Sequence, residues 1–161
     1  MDMPVDIRRL PGADPLALDL IWRTFLQFEA PDYTEEGVRS FADFLRKAGQ
    51  MPDLECAGAF LGEELVGVIA TREEGSHICL LFVEAAYQRR GIGRRLWRYV
   101  WERTDQSRIT VHAAPYAVAF YERIGFRALG NERITDGIRY TPMAYTEARQ
   151  EESLSYPVKE D

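Results

Sequence analysis

The residues in this sequence best placed to do chemistry are Gln88-Arg89-Arg90-Gly91-Ile92-Gly93. They lie between an apolar run of strand length, His77 to Glu84, and a segment, Gly91 to Arg103, that carries Ile92, Leu96, Tyr99 and Val100 at helical spacing. Glycines at a strand-to-helix junction let the backbone turn tightly and let a ligand come close to it. The first turn of the helix offers unpaired N–H groups and the positive end of the helix dipole, so an anion is favoured there. Arg89, Arg90, Arg94, Arg95 and Arg98 crowd the same stretch, in a chain whose formal net charge is −6. Such a cluster points to a bound polyanion, although a glycine-started helix with a solvated basic face fits the same residues. The dinucleotide fingerprint requires a third glycine where Leu96 stands, and the P-loop requires a Gly-Lys-Ser/Thr that does not follow.

The elements that must position this turn are legible from periodicity. Val5 to Leu10 reads as a short strand. Asp14-Pro15 starts a helix, with Asp14 as cap and Pro15 at the first helical position. Leu18, Ile21, Trp22, Phe25 and Phe28 form its apolar stripe, and Ala30-Pro31 ends it. Thr34 caps a second helix carrying Val38, Phe41, Ala42 and Leu45, which Gly49 closes. Leu54–Leu61 and Leu65–Thr71 form an antiparallel hairpin around Gly62-Glu63-Glu64, and His77–Glu84, apolar on both faces, is a central strand. After the Gly91–Arg103 helix come a strand, Arg108–Ala113, a short helix opened by Pro115 and closed by Gly125, and two strands, Phe126–Leu129 and Ile138–Tyr145. Hairpins mixed with crossover helices indicate an α+β domain with one mixed sheet.

Composition bounds the rest. The chain has 161 residues, of which 46% are hydrophobic, enough for one domain with one core. We assign it to residues 1–145, with 146–161 a polar tail that is poorly ordered or loosely docked. The negative net charge argues against non-specific nucleic-acid binding and mildly favours a cationic partner such as an amine. Cys56 and Cys79 are far apart and each lies in an apolar run, which suggests neither a disulfide framework nor a metal site. They fit buried free thiols in a reducing compartment. No apolar segment reads as a signal peptide or a membrane span, so a cytoplasmic protein without a membrane partner is expected.

Leu81-Phe82-Val83 followed by Gln88-Arg89-Arg90-Gly91-Ile92-Gly93 resembles the acetyl-CoA motif of the GNAT acetyltransferases, written Q/R-x-x-G-x-G/A. At the expected distance, Ala117-Val118-Ala119-Phe120-Tyr121-Glu122-Arg123-Ile124-Gly125-Phe126 resembles the family's A-x-x-F-Y-E-K-x-G-F segment. The resemblance covers roughly Val5 to Tyr145 and implies the GNAT fold. That fold has a mostly antiparallel sheet of about six to seven strands, helices on both faces, and a splay between the fourth and fifth strands. It implies acetyl-CoA as co-substrate, with the pantetheine arm along the backbone near Phe82, Val83 and Glu84. The pyrophosphate is then held by the turn of Gln88, Arg89, Arg90, Gly91, Ile92 and Gly93, with Arg94 in the first helical turn. Tyr121 matches the tyrosine that serves as general acid toward the leaving thiolate, a role suited to a phenol that stays protonated at neutral pH. The chain departs from the pattern at His112-Ala113-Ala114-Pro115-Tyr116, where many members carry an asparagine that contacts the cofactor arm.

The resemblance leaves the base and the acceptor open. His77 stands where some relatives carry a catalytic carboxylate, and an imidazole suits a base at neutral pH. Glu84 and a water relay are the alternatives. The loop Phe28-Glu29-Ala30-Pro31-Asp32-Tyr33 covers the acceptor site in this fold, so Glu29, with Asp32, is expected to attract a cationic amine and Tyr33 to pack on its carbon skeleton. Tyr140 is a further candidate for the pocket wall. The expected activity is direct transfer of acetyl to a primary amine on a small molecule, through a tetrahedral intermediate. A protein or peptide amine and a catalytically silent acyl-CoA sensor are the competing readings, and a second copy of the chain is a candidate partner.

Overall fold

The structure is a computed structural model and describes residues 4–12 and 14–146; the expected polar tail beyond Thr146 lies outside the described residues. Strands β1 (Val5–Leu10), β2 (Glu55–Leu61), β3 (Glu64–Arg72), β4 (His77–Val83), β5 (Arg108–Ala113), β6 (Arg127–Ala128), β7 (Arg133–Thr135) and β8 (Ile138–Thr146) alternate with helices α1 (Pro15–Phe28), α2 (Glu35–Lys47), α3 (Ile92–Arg103) and α4 (Val118–Arg123). The strands lie in the order β1-β2-β3-β4-β5-β8-β6, with β7 paired to β8. All neighbours are antiparallel except β4 and β5, which α3 joins as a parallel pair.

The helices sit on both faces, and alternation along the strands feeds each. On one face Ile92, Leu96 and Trp97 of α3 pack with Tyr121 and Phe126 over Val66, Ile69, Ile78, Ile109 and Val111. On the other, Leu20, Ile21 and Phe25 of α1 pack over Val68, Ala70, Leu80 and Phe82, with Phe41 of α2 stacked on Phe25 at 4.0 Å. Fully buried residues such as Phe25, Leu96 and Phe126 are each worth about 1.5–3 kcal/mol in removed apolar surface.

The helix starts follow the caps expected from sequence. Asp14 accepts from Ala17 N–H at 3.1 Å and Thr34 from Gly37 N–H at 3.2 Å. Two details differ. Residues 48–50 continue α2 as a short 3-10 turn, so Gly49 does not end it in left-handed geometry. Residues 133–135, expected as loop, form the extra strand β7, because a tight turn with left-handed Asp136 and Gly137 folds them back on β8. Ile134 and Thr135 are β-branched, but the three exposed residues Arg133-Ile134-Thr135 carry no apolar alternation that marks a strand; pairing with β8 makes it one.

Two irregularities position the site. Between β3 and β4 the register slips past Cys79, and between β2 and β3 it slips past Val66. Each slip is a one-residue bulge, which bends a strand and increases its twist. β4 and β5 stay paired only at His77↔Thr110 and Ile78↔Val111, then part, leaving a wedge toward the carboxyl ends of both strands.

Candidate active site at the wedge between β4 and β5

A cleft of about 510 Å³ opens from this wedge. Its β4 wall is set by hydrogen-bond alternation. Glu84 N–H donates to Val66 O at 2.8 Å, which makes Gly67↔Val83 the widely spaced kind of antiparallel pair. Alternation then commits the Phe82 backbone to β3 and turns the backbone groups of Leu81 and Val83 into the wedge.

The turn after β4 is built for an anion in two ways. Arg89 (φ 65°) and Gly91 (φ 83°) are both left-handed, a conformation that helps form concave N–H cradles. α3 then starts with no side-chain cap, unlike α1 and α2. The first α3 amide to find a helical partner is Arg95, on Gly91 O at 3.0 Å, so the Ile92, Gly93 and Arg94 amides lack intrahelical acceptors. The two glycines serve different needs. Gly91 has open space where a side chain would stand and is favoured by its backbone angle; at Gly93 space is tight, since a Cβ would meet the Phe120 ring at 3.2 Å and the ring would have to give by a few tenths of an ångström. Gln88 braces the turn. Its Nε2 donates to Val83 O at 2.9 Å, and its Oε1 accepts from the Tyr116 hydroxyl at 2.8 Å. Tyr116 stacks on Phe28 of α1 with ring centroids 4.9 Å apart, which ties the turn to the other side of the cleft.

Tyr121 comes from α4, which the left-handed Gly125 and the Phe126 N–H to Tyr121 O bond of 2.9 Å end abruptly. Its ring is buried against Phe120 and Phe126. The hydroxyl has no protein partner, yet no sealed polar side-chain atom among the described residues lacks one, so the oxygen must open onto the cleft its residue lines. Burial first, then the nearby Glu29 and Cys79, push this phenol well above its ordinary value. It is therefore protonated throughout the neutral range.

The cleft brings together most, but not all, of the sequence-derived residues. Phe82, Val83, Gln88, Arg89, Gly91, Ile92, Gly93, Arg94 and Tyr121 line it. Glu84, Arg90, His77, Glu29 and Tyr33 do not. Arg90 lies over the Tyr87 ring at 5.8 Å. Glu84 is held by Arg23 of α1, whose Nη1 donates to its two carboxylate oxygens at 2.7 and 3.2 Å. His77 sits where β4 and β5 still pair, its Nδ1 2.7 Å from Thr110 Oγ1 and its ring edge-on to His112, which stacks on Tyr140 at 4.3 Å. Burial, then the His112 charge, lower its pKa, so it is neutral at pH 7. Sequence reasoning placed Phe28 only in the loop over the acceptor site and missed Tyr116 as a cleft wall; an aromatic directly after Pro115 was the available signal.

On the opposite side, the loop after α1 carries Glu29 and Tyr33, with the Tyr33 hydroxyl 3.5 Å from Glu29 Oε1. Desolvation raises Glu29 to about 7, partly offset by that hydrogen bond. The β7–β8 turn pins this loop: Thr34 N–H reaches Gly137 O at 3.4 Å, Arg139 pairs with Asp32 at 3.7 Å, and Gly37 packs so closely on Gly137 that neither position has room for a Cβ.

The model of the acetyltransferase (GNAT) domain matches residues 29–147. The chain belongs to the GNAT acetyltransferase family. Among solved structures, the GCN5-related N-acetyltransferase from Rhodopseudomonas palustris is 25% identical over 91% of this chain and 98% of its own, with a TM-score of 0.75. The PaiA N-acetyltransferase of Thermoplasma acidophilum, in complex with coenzyme A, is 18% identical over 89% and 99%, with a TM-score of 0.67. The apo form of YjaB from Escherichia coli is 20% identical over 89% and 98%, with a TM-score of 0.69. No curated protein sequence matches the chain. Membership in the GNAT family implies acyltransferase chemistry, and the family binds acetyl-CoA. Among the described residues no helix is long and apolar enough to cross a membrane, and no group of three His, Cys, Asp or Glu side chains gathers to hold a metal.

Proposed function

We propose that the protein moves an acetyl group from acetyl-CoA to a primary amine on a small molecule. The observation that carries this reading is the continuity of one cleft, which runs from the uncapped start of α3, past the Leu81 and Val83 segment of β4, to the Tyr121 side chain. The pyrophosphate sits on the Gln88–Gly93 turn with Arg89 and Arg94 beside it. The pantetheine arm pairs with Leu81 and Val83, and the thioester carbonyl is polarised by wedge-facing amide. Tyr121 protonates the departing thiolate.

Transfer is direct. The one thiol near Tyr121 is Cys79, and burial pushes it up to about 12, so it stays a poor nucleophile at neutral pH. Glu29 and Tyr33 form the acceptor side, where a carboxylate without a cation partner draws an ammonium group. The docking of the β7–β8 turn on the α1–α2 loop supports a small acceptor, because it narrows the room for an extended peptide. Two free cysteines accord with a reducing, cytoplasmic setting.

The test is calorimetric titration with acetyl-CoA, beside a variant carrying Gly91→Glu and Gly93→Glu, followed by an amine screen with thiol detection. We expect saturable binding that the double variant loses. Tyr121→Phe should lower kcat by about 10²–10⁴-fold while leaving acetyl-CoA affinity intact. A native chain that does not bind acetyl-CoA would refute the proposal, and one that binds tightly but consumes no amine would favour the sensor reading.

A further inference from the structure

The acetyl-transfer reading needs a group that takes a proton from the incoming ammonium, and the two sequence candidates are poorly placed for it. His77 lies at the closed end of the wedge, engaged with Thr110 and His112. Glu84 has both carboxylate oxygens on Arg23. Proton transfer requires a group that can reach the nitrogen and is not already spent on a fixed cation.

Glu29 does not line the cleft itself, but it follows a residue that does, and no fixed cation holds it among the described residues. It ends α1, directly after Phe28, which lines the cleft and stacks on Tyr116. Its side chain has a single long hydrogen bond, from the Tyr33 hydroxyl at 3.5 Å, and no ion pair. Two cations of this region are engaged elsewhere, Arg23 with Asp19 and Glu84, and Arg139 with Asp32 and Glu132, while Arg89, whose charge also reaches Tyr116, belongs to the turn after β4. The groups that surround Glu29 are Tyr33 and, farther along its own loop, Asp32; from across the cleft it is felt by Tyr116 and Tyr121. Its charge thus reaches the cleft-lining phenol assigned to the thiolate and the phenol that braces the cofactor turn. A carboxylate so enclosed, with no ion pair among the described residues, gains from an ammonium group.

We propose that Glu29 is the general base of this site, taking the first proton from the acceptor's ammonium group. This rests on the acetyl-transfer reading. The carboxylate accepts a proton from R–NH3+, leaving R–NH2. The nitrogen lone pair forms the new C–N bond at the thioester carbon, and the C–S bond breaks as the intermediate collapses. The thiolate takes the Tyr121 proton, the phenolate regains a proton shed by the nitrogen, and Glu29 releases its own to solvent. The net products are the amide, free coenzyme A thiol and one proton. The elevated carboxyl pKa of about 7 suits this role, since a base works best when its pKa lies near the operating pH.

The experiment has two arms. In the first, the protein is labelled with carboxyl-13C glutamate, the Glu29 signal is assigned by its loss in Glu29→Gln, and it is titrated by NMR. A midpoint near about 7 is expected; a midpoint at the ordinary 4.5 overturns the proposal without any acceptor. In the second, wild type, Glu29→Gln and Glu29→Asp are assayed across pH with benzylamine, spermidine and lysine, and with hydroxylamine as a nucleophile uncharged at neutral pH. Glu29→Gln should lose about 10²-fold or more in kcat on the charged amine that turns over, keep its KM for acetyl-CoA, and lose the acid limb of the pH profile. Hydroxylamine should discriminate far less between the variants, and Glu29→Asp should restore part of the loss. An unchanged kcat with only a raised amine KM would reduce Glu29 to an attracting charge and overturn the proposal. Wild type that binds acetyl-CoA yet acetylates none of the probes would instead count against the acetyl-transfer reading itself.

Discussion

At the start of α1 and of α2 a side chain closes the helix, Asp14 in one and Thr34 in the other; at the start of α3 none does. The first two helices spend their N-terminal amides on their own chain and serve as core cover. The third leaves its amides to whatever lies in the wedge. The two sides of the cleft differ in the same sense. The side proposed for the cofactor is made of backbone: a left-handed turn, open strand amides and a helix end. The side proposed for the acceptor is made of side chains, Glu29 and Tyr33 on a loop that another loop pins in place. Backbone sites tolerate changes of side chain but not of shape, whereas a side-chain site is sensitive to each group's chemistry.

That contrast can be broken at several points. The largest effect is expected from Gly93→Val. Its methyl groups would drive into the Phe120 ring, and overpacking of this kind costs about 1–3 kcal/mol while deforming the turn. Calorimetry should find acetyl-CoA affinity reduced by about 100-fold, whereas Arg95→Gln, on the same helix but outside the cleft, should change it by no more than about threefold. Gln88→Ala comes next. It removes the brace between Val83 O and Tyr116, two hydrogen bonds worth about 1 kcal/mol each, and should weaken acetyl-CoA binding by about five- to thirtyfold without altering kcat at saturation. Equal affinity in Gln88→Ala would mean the turn holds its shape unaided.

The smallest effects lie in the pH dependence of stability, and they have opposite signs. Glu29 is raised in the folded state, so its contribution is fully present below the unfolded value of 4.5 and is lost as pH climbs toward about 7. His77 is lowered, so the folded state resists its protonation; stability is therefore lost as pH falls below the unfolded value of 6.5. Urea melts between pH 5 and 8 should show Glu29→Gln losing less stability than wild type as pH rises, and His77→Gln losing less as pH falls. A His77→Gln variant whose pH profile matches wild type would mean the histidine is not held neutral by its surroundings.

The sequence determined the order of elements, the caps of α1 and α2 and the strand-turn-helix geometry around Gly91, because each depends on residues within a few positions of one another. Through two motifs that resemble those of the GNAT family it also singled out the glycine turn and Tyr121, which line one cleft. What it did not carry was long-range pairing. Only the folded sheet shows that β4 and β5 part after Ile78, that a slip at Cys79 turns Leu81 and Val83 toward the gap, and that Arg133–Thr135 folds back on β8. Glu84 and Arg23 are 61 positions apart, and nothing near either predicts their pairing. The burial that raises Glu29 and lowers His77 likewise comes from chain remote in sequence. Local geometry is set by neighbours along the chain, whereas the charge state of a side chain is set by the dielectric and the partners that tertiary packing brings to it.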